Sequence, residues 1–131
     1  MQFIYPYLML NDAKEAANYY KDVFNGEITY VMYGKDMPEC PEEHLEDVMH
    51  LQLKFNGSEI FMADNKTPSS DFIQIHLNYP DLDEMKKVFE KLSKGNTVVE
   101  ELKEEFWGAV FGRIKDKYGV TWQLHYTLPQ E

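Results

Sequence analysis

Cysteine is almost absent: Cys40 stands alone among 131 residues, so no internal disulfide is possible and a reducing, cytoplasmic setting is expected. Basic residues are scarce too, with 13 Lys+Arg against 23 Asp+Glu and a formal charge of −10. Nucleic-acid backbones are held by clustered Lys and Arg, and no such cluster occurs, so no nucleic-acid partner is expected. No apolar run nears the roughly 20 residues that cross a bilayer, so no membrane partner is expected either. The opening residues lack a basic stretch leading into an apolar core, and no signal peptide is expected. Aromatic residues, by contrast, are plentiful at 15% of the chain. Two readings of them stay open, a ring-rich core or rings that line a pocket or a subunit interface.

The length suits one domain, residues 1–131. Phe3 to Leu10 reads as a buried strand, with Pro6 tolerable at an edge. Asn11-Asp12 caps a helix on which Ala13, Ala16, Ala17, Tyr20, Val23 and Phe24 recur at helical spacing, and Asn25-Gly26 ends it. A strand follows over Glu27 to Tyr33. Gly34 to Asp47, with Pro38, Pro41 and six acids against one Lys, reads as a long loop, either a lid or a mobile excursion. Val48 to Phe55 and Ser58 to Ala63 are strands joined at Asn56-Gly57, a hairpin signal.

After a linker at Thr67-Pro68-Ser69-Ser70 the order repeats. Asp71 to Tyr79 is a strand, Asp81 caps a helix carrying Leu82, Met85, Val88, Phe89 and Leu92, and Gly95 ends it. Strands are expected over Thr97 to Glu101, Ala109 to Lys115 and Val120 to Tyr126. An offset of 69 lays Asp12 on Asp81, Ala16 on Met85, Tyr20 on Phe89, Val23 on Leu92 and Gly26 on Gly95. The fold class is therefore α+β. Two βαβββ modules, residues 2–64 and 70–127, pair so that a curved, mostly antiparallel sheet surrounds a cleft with helices outside.

Alternation assigns the faces. Met49, Leu51, Leu53 and Phe55 oppose His50, Gln52 and Lys54; Ile73, Ile75, Leu77 and Tyr79 oppose Gln74, His76 and Asn78. Val120, Trp122, Leu124 and Tyr126 oppose Thr121, Gln123 and His125, and Ile4, Pro6, Leu8 and Leu10 oppose Phe3, Tyr5, Tyr7 and Met9. The non-core faces hold neutral hydrogen-bonding groups and rings rather than the Lys/Glu mixture of a plain solvated sheet. Such faces suit a pocket for a small organic ligand.

The doubled pattern and the segment EFWGAVFGRIKDKYGVTW, Glu105 to Trp122, resemble the vicinal oxygen chelate superfamily of glyoxalases, extradiol dioxygenases and bleomycin- or fosfomycin-resistance proteins. Tyr5-Pro6-Tyr7-Leu8, the Met49-His50 strand and the Phe106-Trp107-Gly108 turn are similar to the PhnB-like branch, which often carries a demethylubiquinone methyltransferase label. No Gly-rich strand-to-helix loop with an acidic ribose anchor appears, so neither a dinucleotide nor S-adenosylmethionine has its usual cradle. The resemblance implies metal ligands at four positions, which here hold Tyr5, Phe61, Gln74 and Gln123 where His and Glu are usual. Phe cannot ligate and the amide oxygens are weak donors, so no cofactor and no metal are expected.

The first functional reading is a small-molecule binding protein whose ligand meets Tyr5, Tyr7, His50, Gln52 and Gln74 together with His76, Phe111, Arg113, Gln123 and His125. The alternative is a metal-assisted lyase, isomerase or dioxygenase in which His50, His76 and His125 form a displaced site for Zn, Ni or Fe. Whether the chain is an enzyme stays open. A structural dimer with a vestigial cleft is a third reading, and a homodimer is implied by the resemblance. Arg113 is an anion anchor or a surface ion-pair partner; Phe106 and Trp107 are a ring platform or core. Glu100, Glu101, Glu104 and Glu105 read as a solvated strand end and loop, with Glu105 as an alternative base at the cleft mouth. Cys40, among acids, is a poor nucleophile.

Overall fold

Each half of the chain builds the same element order, and the computed structural model describes it at residues 2, 4–65, 70 and 73–130. The halves form two units, Met1–Pro68 and Ser69–Glu131. Unit one contains β1 (Tyr7–Leu10), α1 (Ala13–Phe24), β2 (Glu27–Tyr33), β3 (Val48–Phe55) and β4 (Ser58–Asp64). Unit two contains β5 (Ile75–Asn78), α2 (Leu82–Ser93), β6 (Thr97–Glu105), β7 (Ala109–Lys115) and β8 (Thr121–Thr127). Each forms a four-stranded mixed sheet, ordered β1-β4-β3-β2 and β5-β8-β7-β6. The first pair in each is parallel and the other two are antiparallel. The fold is α+β.

The helices start and pack alike. Asp12 Oδ1 accepts from the Glu15 backbone N–H at 3.1 Å, and Asp81 Oδ2 accepts from that of Glu84 at 2.9 Å. Each bond satisfies one of the orphan donors of a first turn. Ala16, Tyr20 and Val23 are buried on α1, and Met85, Phe89 and Leu92 are buried on α2. These are the pairs that the offset superposes. In unit one they meet Leu51, Leu53, Phe55, Ile60 and Met62, with the Phe24 and Phe55 rings stacked at 4.5 Å. In unit two the buried sheet face is Ile114, Trp122 and Leu124. A Cβ on Gly112 of β7 would lie 2.8 Å from the Phe89 ring, so this close approach of helix to sheet needs a residue without a side chain.

Two carboxylates hold the corners. Asp64 accepts from the backbone N–H of Ala13 at 2.7 Å and of Val48 at 2.8 Å, tying the start of α1 to β3 and β4. Asp116 is buried; it accepts from the Trp122 indole N–H at 2.8 Å and from the backbone N–H of Tyr118 and Val120.

Several boundaries differ from the sequence expectations. β1 starts at Tyr7, although the Pro6 carbonyl still accepts from the Phe61 N–H at 2.9 Å. Phe3, Asp71, Phe72 and the linker positions Thr67 to Ser69 lie outside the described residues. β5 is only Ile75–Asn78, and Ile73, expected on the core side, is 76% exposed. β6 runs on past Glu101 to Glu105, so Glu104 and Glu105 sit in the strand rather than in a loop. Pairing with β7 supplies their backbone partners, which side-chain charge does not reveal. Asn25, not Gly26, takes the left-handed turn at the end of α1, at φ 54°. The Asn56-Gly57 hairpin is as expected, with φ positive at both residues. The 34–47 segment is tied at its neck by Gly34 N–H to Asp47 O and Lys35 N–H to Leu45 O, both 2.9 Å, and holds two short 3-10 turns. No helix among the described residues is long and apolar enough to cross a membrane.

Candidate functional site

In each unit the helix covers one sheet face, and alternation sends the remaining side chains to the other. The strand registers line these up in cross-strand rows. Unit one has the row Tyr7, Phe61, Gln52, Tyr30 from β1, β4, β3 and β2. Unit two has, at the same places, His76, Gln123, Arg113, Glu100 from β5, β8, β7 and β6. The next row of unit two is Asn78, His125, Phe111, Lys103.

The open face of unit one is built of rings. Tyr5 stacks on Phe61 at 4.4 Å and 11°, while Tyr7 and His50 meet Phe61 edge-on at 5.7 and 4.7 Å. The Gln52 amide nitrogen lies 3.1 Å from His50 Nε2. An amide nitrogen has no lone pair to offer, so Nε2 accepts. In the neutral ring Nδ1 then carries the proton and donates to the Tyr7 hydroxyl oxygen at 2.8 Å. The Tyr7 hydroxyl proton is thereby left to donate elsewhere.

The open face of unit two carries two hydrogen-bond chains, each with its direction set by an obligate donor. Arg113 Nη1 donates to Gln74 Oε1 at 3.2 Å, and the Gln123 amide donates to the same oxygen at 2.9 Å. Gln123 Oε1, 2.9 Å from His76 Nδ1, can only accept, so in the neutral ring His76 carries its proton on Nδ1 and Nε2 keeps a lone pair. In the second chain the Trp107 indole donates to His125 Nε2 at 3.3 Å, and His125 Nδ1 donates to Asn78 Oδ1 at 3.1 Å. Trp107 meets the Phe111 ring edge-on at 5.8 Å, and the His76 and His125 rings lie 5.1 Å apart.

Charge is nearly cancelled on this face. Arg113 Nη2 is paired with Glu100 at 3.2 Å, so an arriving anion finds its cation already engaged. Both alternatives for Arg113 thus resolve into one arrangement: it sits on the open face as an ion-pair partner that also donates to Gln74. Desolvation, and then the neighbouring His76, hold the His125 pKa below the usual histidine value. Its two nitrogens are satisfied as a neutral ring; a second proton would set an N–H against the Trp107 N–H.

The ten sequence-named side chains divide four and six. Tyr5, Tyr7, His50 and Gln52 lie on unit one, the rest on unit two. Sequence reasoning did not select Phe61, Tyr30 and Asn78 as site residues, although alternation places Asn78 beside His76. Trp107 and Phe106 form the tip of the β6–β7 hairpin at 49% and 95% exposure, which overturns a core role for either. Glu105 lies in β6 and pairs with Lys103 at 3.9 Å. His44 bonds Asp47 at 2.7 Å and is remote in role from Cys40.

The residues at the four metal positions of the superfamily do not suit an ion. Tyr5 and Phe61 are stacked on each other, and the oxygens of Gln74 and Gln123 already accept hydrogen bonds. Among the described residues no group of three or more His, Cys, Asp or Glu side chains is placed to hold a metal. His50 lies on unit one, whereas His76 and His125 lie on unit two.

The 3-demethylubiquinone-9 3-methyltransferase family matches this chain over residues 2–125. The chain is 26% identical to protein YjdN of Escherichia coli over 95% of both proteins. Among solved structures, protein PA1353 from Pseudomonas aeruginosa superposes with a TM-score of 0.85 at 26% identity, over 98% of this chain and 100% of that one. A Bacillus cereus PhnB protein, described as a putative 3-demethylubiquinone-9 3-methyltransferase, superposes with a TM-score of 0.78 at 26% identity, over 96% and 100%. Match and topology agree: the chain belongs to the 3-demethylubiquinone-9 3-methyltransferase, or PhnB-like, family of the vicinal oxygen chelate superfamily.

Proposed function

We propose that this protein binds a small organic molecule on the open faces of its sheets, without a divalent metal. The observation that carries the reading is the unit-two chain, in which Arg113, Gln74, Gln123 and His76 are held in one hydrogen-bonding sense beside Trp107 and Phe111. Fixed polar groups next to ring walls give a ligand orientation at little ordering cost, because the side chains are already in place. The Glu100 pair neutralises Arg113, which favours an uncharged ligand over a carboxylate or phosphate.

The family's descriptive name points to methyl transfer, but the residues present do not fit S-adenosylmethionine. The β1–α1 and β5–α2 connections are Asn11-Asp12 and Tyr79-Pro80-Asp81, with no glycine to admit a nucleotide. A cytoplasmic homodimer working as one domain over residues 1–131 completes the reading. The exposed Phe106 supports a subunit contact, which sedimentation would test.

Thermal-shift screening of neutral ring compounds, with metal analysis of the purified protein, tests the proposal. A binder present at one hundred times its Kd stabilises the folded state by about 2.7 kcal/mol. Stabilisation by such compounds in metal-free protein is the expected result. Stoichiometric Zn, Ni or Fe that is lost in His76→Ala would establish the metal-assisted alternative through His50, His76 and His125 instead.

A further inference from the structure

The unit-two chains fix more than orientation: they fix which hydrogen-bonding groups remain for a ligand. Arg113 and Trp107 have only donors to offer, so neither of the two chains can reverse. Starting from Arg113, the Gln74 oxygen accepts, the Gln123 amide is turned to donate to that same oxygen, and the Gln123 oxygen takes the His76 Nδ1 proton. Starting from Trp107, His125 Nε2 accepts and its Nδ1 proton goes to Asn78. His125 therefore has no lone pair left, while the Gln123 and Asn78 oxygens each already accept one bond and His76 Nε2 accepts none. Among the described residues no partner takes His76 Nε2, which lies on an exposed ring flanked by His125 at 5.1 Å and Phe111 at 6.4 Å.

We propose that His76 Nε2 is the hydrogen-bond acceptor of this site, and that the ligand class is an uncharged ring compound presenting an acidic X–H, such as a phenol, enol or heteroaromatic N–H. Three features converge on that class. The His76 Nε2 lone pair, which no described residue takes, can be satisfied only by a donor. Trp107, Phe111 and the two imidazoles offer ring faces and edges around it, which suits a flat partner. Arg113, already paired with Glu100, is a poor recruiter of an anion. A ligand of the same shape that lacks the donor would bury the His76 lone pair unpaired, and such a mismatch is where polar sites discriminate most strongly.

This inference rests on the small-molecule reading above, and two measurements separate their failures. Nitrogen-edited NMR of the ligand-free protein reads the histidine tautomers directly; His76 with its proton on Nδ1 is expected, and a proton on Nε2 would overturn the inference whatever binds. Titration with para-cyanophenol and with its methyl ether, para-methoxybenzonitrile, then reads the ligand class. The phenol is expected to bind about ten times or more tightly than the ether, to shift the His76 Nε2 signal, and to lose that preference in His76→Phe, which keeps a ring and removes the acceptor. Equal binding of phenol and ether by the unaltered protein would refute the acceptor role. Binding of neither, with the expected tautomer in place, would sink the ligand class and count against the small-molecule reading itself.

Discussion

Across unit one the open row Tyr7, Phe61, Gln52, Tyr30 is aromatic at three of its four places, whereas the equivalent row of unit two, His76, Gln123, Arg113, Glu100, holds an ion pair, an amide and an imidazole. The covered faces show the opposite behaviour. Tyr20 and Phe89, Ala16 and Met85, Val23 and Leu92 occupy matching helical places, and all are buried apolar or aromatic residues. Packing a helix on a sheet dictates what the covered side must be, while the open side is left to chemistry. In unit one that chemistry is ring stacking with one imidazole held by Tyr7 and Gln52. In unit two it is a pair of hydrogen-bond chains, each with a defined direction.

The largest expected effects test the sameness of the covered faces. Tyr20→Ala and Phe89→Ala should each lose about 3–5 kcal/mol, read as a lowered urea midpoint with an unchanged slope. A large cost in one and a negligible cost in the other would break the equivalence of the modules. Next comes Asp116→Ala, which strands the buried Trp122 indole N–H and should cost about 1–3 kcal/mol. One cooperative transition in these melts is the outcome expected of a single domain, and two resolved transitions would contradict it.

Smaller effects sharpen the difference between the open faces. Arg113→Met removes the donor that orders Gln74 and should leave His76 as a mixture of tautomers, while the His50 signals of unit one stay unchanged. Its effect on stability should stay within about 1 kcal/mol, because the ion pair is half-exposed. The smallest effect is the titration of His125, which should show a midpoint below the ordinary 6.5 by NMR. The sign follows from linkage. The unfolded chain takes up this proton before the folded one, so the His125 contribution to stability is present above pH 6.5 and falls away as pH drops toward the lower folded value. His125→Phe should flatten that part of the pH profile.

Much of the scaffold was legible in the sequence because it depends on period and punctuation. Asp12 and Asp81 cap as their spacing suggests, Asn56-Gly57 turns, and strand alternation put Gln74, His76, Gln123 and His125 on one face. Other features depend on pairing that no local pattern carries. Glu104 and Glu105 look like loop residues because they are charged, yet β7 supplies their backbone partners. Asn25 rather than glycine takes the left-handed turn, as a short polar side chain permits. The sense of the two unit-two chains was illegible, since one follows from Trp107 reaching His125 and the other from Arg113 reaching Gln74, across segments distant in sequence.

The two tryptophans supply the most direct test, because one stands on each side of the unit-two sheet. Titration with para-cyanophenol under nitrogen-edited NMR should shift the Trp107 indole N–H, which donates to His125, and leave that of Trp122, buried against Asp116, in place. Movement of Trp122 with Trp107 unmoved, or a saturating ligand that disturbs neither, would contradict a binding surface on the open face.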